Sequence, residues 1–235
     1  MQARLSSTRL PGKVLKEILP HRTMLNLTIE RLKACQRVDE IVVAVPESTK
    51  DDPVADEAKR SGAVVFRGPE DDVLSRYLNA ARAFHADLMV RVTSDCPLSD
   101  PEVIDGHIEQ MQTRWCQADF VTNMFKQSFP LGLAVEAMPL DTLERMGRLS
   151  TTPYLREHVT TLAYERPELF IIESVMDDQD RSAMRWTVDY PEDLEFIRAV
   201  YKNLYTPKRI FRKCDVLDLL AAHAEIANIN IQAGR

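Results

Sequence analysis

The chain has 235 residues, of which 45% are hydrophobic and 28% are charged, and its formal net charge is −6. These values are typical of one globular domain, here residues 1–235, and the negative charge excludes a broad nucleic-acid-binding surface because such surfaces are strongly basic. No apolar run approaches the roughly 20 residues of a membrane helix, and residues 1–4 lack the apolar stretch of a signal peptide, so we expect a cytoplasmic location without membrane contact.

The first predicted feature is a basic loop. Residues 1–22 contain five lysine or arginine side chains and one acid, Glu17. On an acidic protein such a segment indicates a site for a small anionic ligand. Ligands in open α/β sheets bind where loops leave the carboxyl ends of strands, so a loop of this kind should follow a strand. We therefore expect a first strand of about 6–10 residues to precede Met1.

Strands and helices alternate through the first half of the chain. Apolar, β-branched runs predict parallel strands at 40–46, 63–66 and 88–92. Apolar residues at helical spacing predict helices at 22–35 and 72–85. This alternation predicts a three-layer α/β fold with a mostly parallel sheet.

The second half of the chain begins with a helix start at Asp100, which precedes a proline and can cap the first turn. Segment 118–140 contains two short predicted strands, at 119–122 and 133–137, without a helix between them, which predicts an antiparallel pair or a small lobe over the sheet edge. Pro191 opens a later helix, and residues 206–235 have no assigned role. The four cysteines and five histidines form no C-x-x-C or H-E-x-x-H pair, so neither a disulfide framework nor a zinc site is predicted.

Residues 2–15, QARLSSTRLPGKVL, suit a triphosphate. Arg4, Arg9 and Lys13 supply charge-assisted hydrogen-bond donors. Ser6 and Ser7 are small, so backbone N–H groups can approach the phosphates. The loop is neither a Walker A nor a G-x-G-x-x-G motif, which excludes ordinary ATPase and Rossmann sites. The alternative is a solvated basic N-terminus.

The pattern R-x-x-S-[ST]-R-L-P-G-K, at residues 4–13, resembles the signature of the cytidylyltransferases that make CMP-activated sugars, and most of all their spore-coat polysaccharide (SpsF-type) branch. The resemblance implies a nucleotide-diphospho-sugar transferase-like fold, CTP as substrate, Mg²⁺ as cofactor and a homodimer. It also implies a set of nucleotide-binding residues: Gln2, Ala3, Arg4, Ser6, Ser7, Arg9, Lys13, Asp72 and Arg76.

Two aspartates match metal ligands of that family. Asp95 follows the apolar strand at 88–92, where a metal-bound nucleotide would lie, and Asp189 resembles the first aspartate of the family's V-D-T-P-E-D-L segment. Two carboxylates from distant segments suit Mg²⁺, which takes one or two protein oxygens and completes its octahedron with phosphate and water. The resemblance thus assigns catalysis to Arg4, Lys13, Asp95 and Asp189.

Three further segments resemble the family less closely. Residues 70–76 resemble a segment near the nucleotide, but Asp72 could instead cap a helix and Arg76 could be a surface residue. Residues 130–136 resemble an acceptor-side segment ending in Glu136, with alanine at 134 where the family has aspartate. Residues 156–160, REHVT, suggest Arg156 and His158 as acceptor contacts, and a structural histidine is the alternative.

The predicted reaction is transfer of CMP from CTP to a sugar or sugar acid, with release of pyrophosphate, in surface polysaccharide biosynthesis. Cations held at fixed positions stabilise the charge that develops on the phosphoryl oxygens. Two alternatives stay open: a glycosyltransferase that uses a nucleotide-sugar, and an inactive, truncated relative that acts as a binding domain.

Overall fold

The computed structural model describes residues 1–207 and 209–233, which form eight strands and ten α-helices. The strands are β1 (Glu17–Leu19), β2 (Arg22–Thr23), β3 (Val42–Pro46), β4 (Val64–Gly68), β5 (Leu88–Arg91), β6 (Phe120–Thr122), β7 (Glu136–Pro139) and β8 (Ile172–Ser174). The helices are α1 (Met24–Leu32), α2 (Asp52–Arg60), α3 (Val73–Ala83), α4 (Pro101–Thr113), α5 (Leu140–Leu149), α6 (Pro153–Glu157), α7 (Thr161–Glu165), α8 (Pro191–Leu204), α9 (Lys213–Ala222) and α10 (Ala224–Ala227). None of these helices combines the length and the apolar character that crossing a bilayer requires.

A mostly parallel sheet runs through the molecule. Strand β3 pairs in parallel with β4, and a four-stranded part has the order β5-β7-β6-β8, in which β7 alone is antiparallel to its neighbours. Residues 1–3 join the two parts, because Gln2 forms parallel bridges with Ala44 on β3 and with Thr93 just beyond β5. The basic loop therefore leaves the sheet at the carboxyl ends of β3 and β5, the edge at which α/β folds bind ligands.

Helices cover both faces of this sheet. One hydrophobic cluster joins α1, α4 and α8 to the sheet, and a second joins α3, α5 and α7 to it. Neighbouring residues of β5 belong to different clusters: Met89 packs in the second cluster, whereas Val90 packs against the first. Successive strand side chains point to opposite faces, so β5 is covered on both sides. The predicted three-layer α/β fold is confirmed.

Most elements predicted from the first half of the sequence are observed. Asp100 caps α4 by accepting a hydrogen bond from the Glu102 N–H at 2.8 Å, and α8 begins at Pro191. The predicted runs match observed elements as follows: 40–46 matches β3, 63–66 matches β4, 88–92 matches β5, 22–35 matches α1 and 72–85 matches α3. The prediction that 88–92 pairs in parallel is wrong for its ladder, because β5 pairs with β7 in the antiparallel sense.

Segment 118–140 forms an antiparallel pair, which is one of the two arrangements that the sequence leaves open. Strand β6 pairs with β7, and β7 continues the pairing onto β5. The second strand begins at Glu136 rather than at 133, because the Asn123 side chain takes the place of a neighbouring strand. Its amide donates to the Leu133 carbonyl at 2.7 Å and accepts from the Val135 N–H at 3.0 Å.

A cavity of ≈ 690 Å³ lies between β3 and β5, beyond Met1. Val42 and Val90 line it from the two strands, and Tyr77 and Ile108 line it from helices on opposite faces. Among the described residues, no strand pairs with the edge of β5 that faces this cavity. The Met1 ammonium donates to the Val42 carbonyl at 2.7 Å, and burial, together with the charge of Arg91, lowers its pKa to about 5.

Candidate functional site

The basic loop closes on itself before it presents Lys13. Gly12 has φ 66°, a left-handed conformation that glycine adopts without strain, and its N–H donates to the Leu5 carbonyl at 3.2 Å. The Leu5 N–H donates to Oδ1 of the buried Asp51 at 2.6 Å. This bond ties the loop to the start of α2 and fixes the position from which Lys13 extends.

Asp95 and Asp189 come from loops that are bonded to each other. Asp95 follows β5, and Asp189 precedes α8. The Asp95 carbonyl accepts from the Val188 N–H at 2.8 Å and from the Thr187 hydroxyl at 3.2 Å. Two carboxylates that are far apart in the sequence therefore lie on the same side of the molecule, as their match to one family site implies.

The Lys13 ammonium joins the two carboxylates. Its Nζ donates to Asp95 Oδ2 at 3.0 Å, to Asp189 Oδ1 at 2.9 Å and to the Val188 carbonyl at 2.8 Å. Burial lowers the pKa of Lys13, but the charge of Asp95 and the hydrogen bonds to both carboxylates outweigh burial and raise the pKa above its ordinary value. Burial raises the pKa of Asp95, but the charge of Lys13 and a hydrogen bond from Thr93 hold it below its ordinary value.

Two arginines complete the charge cluster around Asp189. Arg9 donates to Asp189 Oδ1 at 2.7 Å, and Arg185 donates to Oδ2 at 2.9 Å. Arg185 also forms a two-bond pair with Asp193, whose side chain is fully buried. Three cations, Lys13, Arg9 and Arg185, thus face three carboxylates, and the cluster is electrically neutral.

This donor set fits a magnesium ion. Within residues 1–207 and 209–233, no group of three or more His, Cys, Asp or Glu side chains converges to hold a metal. Mg²⁺ does not need such a group, because one or two carboxylates and the oxygens of a phosphate and water satisfy it. Asp95 and Asp189 already share one cation, the Lys13 ammonium.

The first residues of the loop lie outside this cluster. The backbone of Gln2 and Ala3 belongs to the sheet, and the Gln2 side-chain Oε1 is buried without a hydrogen-bond partner among the described residues. Arg4 is 44% exposed and pairs with Glu157 at 3.8 Å. The small loop residues expected to line the nucleotide are exposed or half-buried: Ser6 and Ser7.

Asp72 caps α3, which is one of the two roles that the sequence leaves open. It accepts from the Ser75 N–H at 2.9 Å and from Arg156 Nε at 2.7 Å. Burial raises the pKa of Asp72, and the hydrogen bonds from Ser75 and Arg156 outweigh it and lower the pKa. Arg76 is buried, so its alternative as a surface residue is wrong; its guanidinium donates to the Pro69 carbonyl at 2.8 Å.

Glu136 is surrounded by protein donors. It is buried, pairs with Arg91, and accepts from the Thr160 hydroxyl at 2.7 Å and from the Tyr164 hydroxyl at 2.5 Å. Its carboxylate therefore holds β5, β7 and α7 together, and an acceptor contact through it would have to replace one of these bonds.

The segment 156–160 lies next to the basic loop through the pair between Arg4 and Glu157. His158 is exposed and contacts the Tyr154 ring edge-on, with 4.6 Å between ring centroids. Val159 has φ 55°, which is strained for a β-branched residue, and such strain persists mainly at functional sites.

Three residues of the site, Arg185, Asp193 and Asn230, were not predicted from the sequence. Asp193 accepts from the backbone N–H groups of Asp189 and Tyr190 at 2.9 and 3.0 Å, and Asn230 donates to Asp193 Oδ1 at 2.9 Å. The spacing of four between 185, 189 and 193 is a signal that could have identified the first two residues. The tail carries no comparable signal for Asn230, because only the fold brings it there.

A D-x-D sequence, a metal motif common in glycosyltransferases, occurs at residues 178–180. Asp178 pairs with Arg181 at 2.6 Å, and Asp180 accepts from the Ser182 hydroxyl at 2.7 Å. In the described part of the chain these two carboxylates form no bond with the cluster around Lys13, so the motif is occupied by local partners.

Comparison with known proteins matches residues 1–213 to the family model described as cytidylyltransferase. The chain is 30% identical over 210 residues to the spore coat polysaccharide biosynthesis protein SpsF of Bacillus subtilis, covering 86% of this chain and 85% of that protein. A cytidylyltransferase structure from Leptospira borgpetersenii superposes with a TM-score of 0.93 at 32% identity, covering 100% of this chain and 95% of that one. A CMP:2-keto-3-deoxy-manno-octonic acid synthetase solved with CTP has a TM-score of 0.68 at 18% identity, covering 87% and 97%, and supports the same fold.

Proposed function

The chain belongs to the cytidylyltransferase family, and on this premise we propose that it transfers CMP from CTP to a hydroxyl group of a sugar or sugar acid and releases pyrophosphate. The observation that best supports this proposal is that the Lys13 ammonium binds both Asp95 and Asp189, at distances of 3.0 and 2.9 Å. A phosphate-binding loop and a pair of cation-binding carboxylates are the two parts that nucleotidyl transfer requires. The identity of 30% to SpsF supports a role in surface polysaccharide biosynthesis.

The triphosphate would lie against the basic loop. Arg9 is 53% exposed, so its guanidinium can turn from Asp189 towards a phosphate, and arginine pairs with phosphate through two parallel bonds. Lys13 adds a compact charge at the centre of the cluster. Ser6 is exposed and Ser7 is half-buried, and both side chains are small enough for phosphate oxygens to approach the backbone N–H groups of the loop.

Asp95 and Asp189 would hold Mg²⁺. When bound, Mg²⁺ neutralises charge on the phosphates and lowers the pKa of a coordinated hydroxyl. In the reaction the acceptor hydroxyl oxygen forms a bond to the α-phosphorus, the bond to the α–β bridging oxygen breaks, and the hydroxyl proton passes to water. Lys13 and Arg9 donate hydrogen bonds to the oxygens on which negative charge increases.

The acceptor would bind beside Arg4 and His158. Both side chains are exposed, and the pair between Arg4 and Glu157 places them on neighbouring surfaces. An acidic sugar would compete with Glu157 for the Arg4 guanidinium, since arginine recognises carboxylates. The ion pair between Asp72 and Arg156, at 2.6 Å, stabilises the segment that carries His158. Glu136 stabilises the same segment by accepting a hydrogen bond from Thr160.

Pyrophosphate release from CTP, measured with a mixed pool of sugars and sugar acids, tests the proposal. Thermal shifts with each of the four nucleoside triphosphates and Mg²⁺ identify the base, because a ligand of the folded state raises its melting temperature. We expect CTP to give the largest shift and to release pyrophosphate only with an acceptor. A CTP shift without pyrophosphate would indicate an inactive binding domain, and sugar transfer from a nucleotide-sugar would indicate a glycosyltransferase; either result overturns the proposal.

A further inference from the structure

The Lys13 ammonium has no donor left for a ligand. An ammonium group carries three N–H donors, and all three are directed at protein oxygens, those of Asp95, Val188 and Asp189. Its side chain is only 12% exposed. A lysine whose role was limited to binding phosphate would keep an N–H donor directed at solvent. The bonds of Lys13 to the protein therefore indicate a second role.

The carboxylates that Lys13 binds are the same two that would hold the divalent cation. Asp189 Oδ1 accepts from Lys13 at 2.9 Å and Asp95 Oδ2 accepts from it at 3.0 Å. A divalent cation that coordinates these oxygens must take the position of the ammonium, because two positive charges at such short distances repel each other strongly.

We propose that Lys13 acts as an internal counter-ion that occupies the cation site until a nucleotide arrives, so that the divalent cation binds weakly without a triphosphate. This inference rests on the proposed function in that it takes the cation site from it. Lys13 keeps Asp95 and Asp189 together, and this proximity would otherwise be opposed by the repulsion of two carboxylates in a partly buried site.

The triphosphate supplies the new partner that releases Lys13. Once phosphate oxygens accept from Lys13 and from Arg9, whose guanidinium also binds Asp189 Oδ1 at 2.7 Å, the two carboxylates are free for the cation, and the cation in turn neutralises the phosphate. Cation and nucleotide therefore raise each other's affinity, and such coupling is reciprocal. If Lys13 occupies the site in most molecules, the apparent affinity for the cation alone is reduced by the fraction of sites that are free.

Binding of Mn²⁺ to the full chain without nucleotide, measured by electron paramagnetic resonance, tests the proposal. Lys13→Met removes the charge and is expected to tighten Mn²⁺ binding by about 5–150-fold, the usual range for coupled sites. Its melting temperature should fall without metal and recover with Mn²⁺. The matched control is Lys16→Met, a half-buried lysine outside the cluster, whose Mn²⁺ affinity should equal that of the wild type.

Two further variants decide the result if Lys13→Met folds poorly or binds the metal elsewhere. Lys13→Gln keeps a donor for a carboxylate but removes the charge, so it should show the same gain in affinity. Adding Asp95→Asn to either variant should abolish the gain. Mn²⁺ binding to Lys13→Gln that is no tighter than to the wild type overturns the proposal.

Pyrophosphate release by the wild type, measured in parallel, separates this inference from the proposed function. Release of pyrophosphate together with unchanged Mn²⁺ affinity in the Lys13 variants contradicts the counter-ion alone. A gain in Mn²⁺ affinity in a protein that releases no pyrophosphate with any acceptor supports the counter-ion and contradicts the proposed function.

Discussion

Arg185 binds Asp193 through two parallel hydrogen bonds, from Nε to Oδ1 at 2.9 Å and from Nη2 to Oδ2 at 3.0 Å. The same Nη2 also donates to Asp189 Oδ2 at 2.9 Å. Burial raises the pKa of Asp193, but Arg185 and the backbone donors around it hold the pKa below its ordinary value. Asp193 therefore acts through Arg185 to set the orientation of Asp189, and it is a positioning residue.

Asp193→Asn is expected to lower both stability and turnover. The substitution places an amide N–H₂ against donors and leaves Arg185 without its buried partner, which costs about 3 kcal/mol in comparable pairs. Because Asp189 loses its orientation, Mn²⁺ affinity in the presence of CTP should fall as well, which a purely structural role would not cause. Urea unfolding and Mn²⁺ binding measure the two effects.

Glu192→Gln is the matched control for this prediction, since Glu192 lies one residue away in the same helical turn and is exposed. It should change stability by less than about 0.5 kcal/mol. Normal Mn²⁺ binding in a folded Asp193→Asn protein would show that Asp189 does not depend on Asp193.

Gly132→Ala is expected to destabilise the protein by at least about 3 kcal/mol. Gly132 has φ 118°, and a Cβ atom there would lie 2.5 Å from the backbone carbon of Trp186 and 2.6 Å from the nitrogen of Thr187. The displaced segment leads directly to Asp189, so activity should fall more than the unfolded fraction explains. Thermal unfolding and pyrophosphate release check both parts.

Gly106→Ala provides the comparison within the same chain. Gly106 lies in α4, and a Cβ atom added there would meet no atom within 4 Å beyond its own stretch of helix, so alanine should raise stability by about 0.5–1 kcal/mol. Equal effects of the two alanine substitutions would contradict the close approach of Gly132 to the segment at 186–187.

The sequence predicts the loop and most of the sheet because these depend on local patterns. The β-branched runs specify buried strands, and a proline after Asp100 specifies a helix start. Lys13 and Asp189 could be assigned to one site only through resemblance, since no local pattern reports a contact between residues so distant in the chain. The structure supplies that contact at 2.9 Å.

The features that could not be predicted from the sequence depend on tertiary contacts. Strand β8 is three residues long and exists because β6 pairs with it, and Asn230 reaches Asp193 from the far end of the chain. The burial of Arg76 could not be predicted from the sequence either, since a charged residue after a helix cap usually faces water. These features follow from packing, which a propensity or a spacing does not record.

His107 should make stability depend on pH. Burial lowers its pKa to about 4, although a hydrogen bond with the Val103 carbonyl opposes this effect. Between the ordinary value of 6.5 and about 4, the unfolded chain takes up a proton and the folded protein does not, so stability is complete above 6.5 and falls as the pH decreases. The loss between pH 7.5 and 5 should be about 2 kcal/mol.

Urea unfolding of His107→Gln at the two pH values measures this contribution. Glutamine keeps a donor for the Val103 carbonyl but has no proton to gain, so the variant should lose about 2 kcal/mol less than the wild type on acidification. His223→Gln removes an exposed histidine and should retain the wild-type difference. Parallel pH profiles of wild type and His107→Gln would contradict the assignment.

The cavity between β3 and β5 predicts that an added strand stabilises the sheet. A Val- and Ile-rich hexapeptide fused ahead of Met1 can pair with both edges and fill the ≈ 690 Å³ cavity. We expect the melting temperature to rise by at least about 5 °C. The controls are a Gly- and Ser-rich hexapeptide and the same apolar peptide with a central proline, which cannot donate to a ladder.

Equal melting temperatures for the three fusions would contradict this prediction, because the gain must come from strand pairing and apolar burial rather than from added length.

Pyrophosphate release from CTP and an acidic sugar with Mg²⁺ shows directly whether Lys13, Asp95 and Asp189 form a site for nucleotidyl transfer. From this assignment of the site we expect release by the wild type, a loss of about 10²–10³-fold in kcat for Lys13→Ala and no turnover for a folded Asp189→Asn protein. Wild-type turnover in the Asp189→Asn protein, with CTP and acceptor saturating, would contradict it.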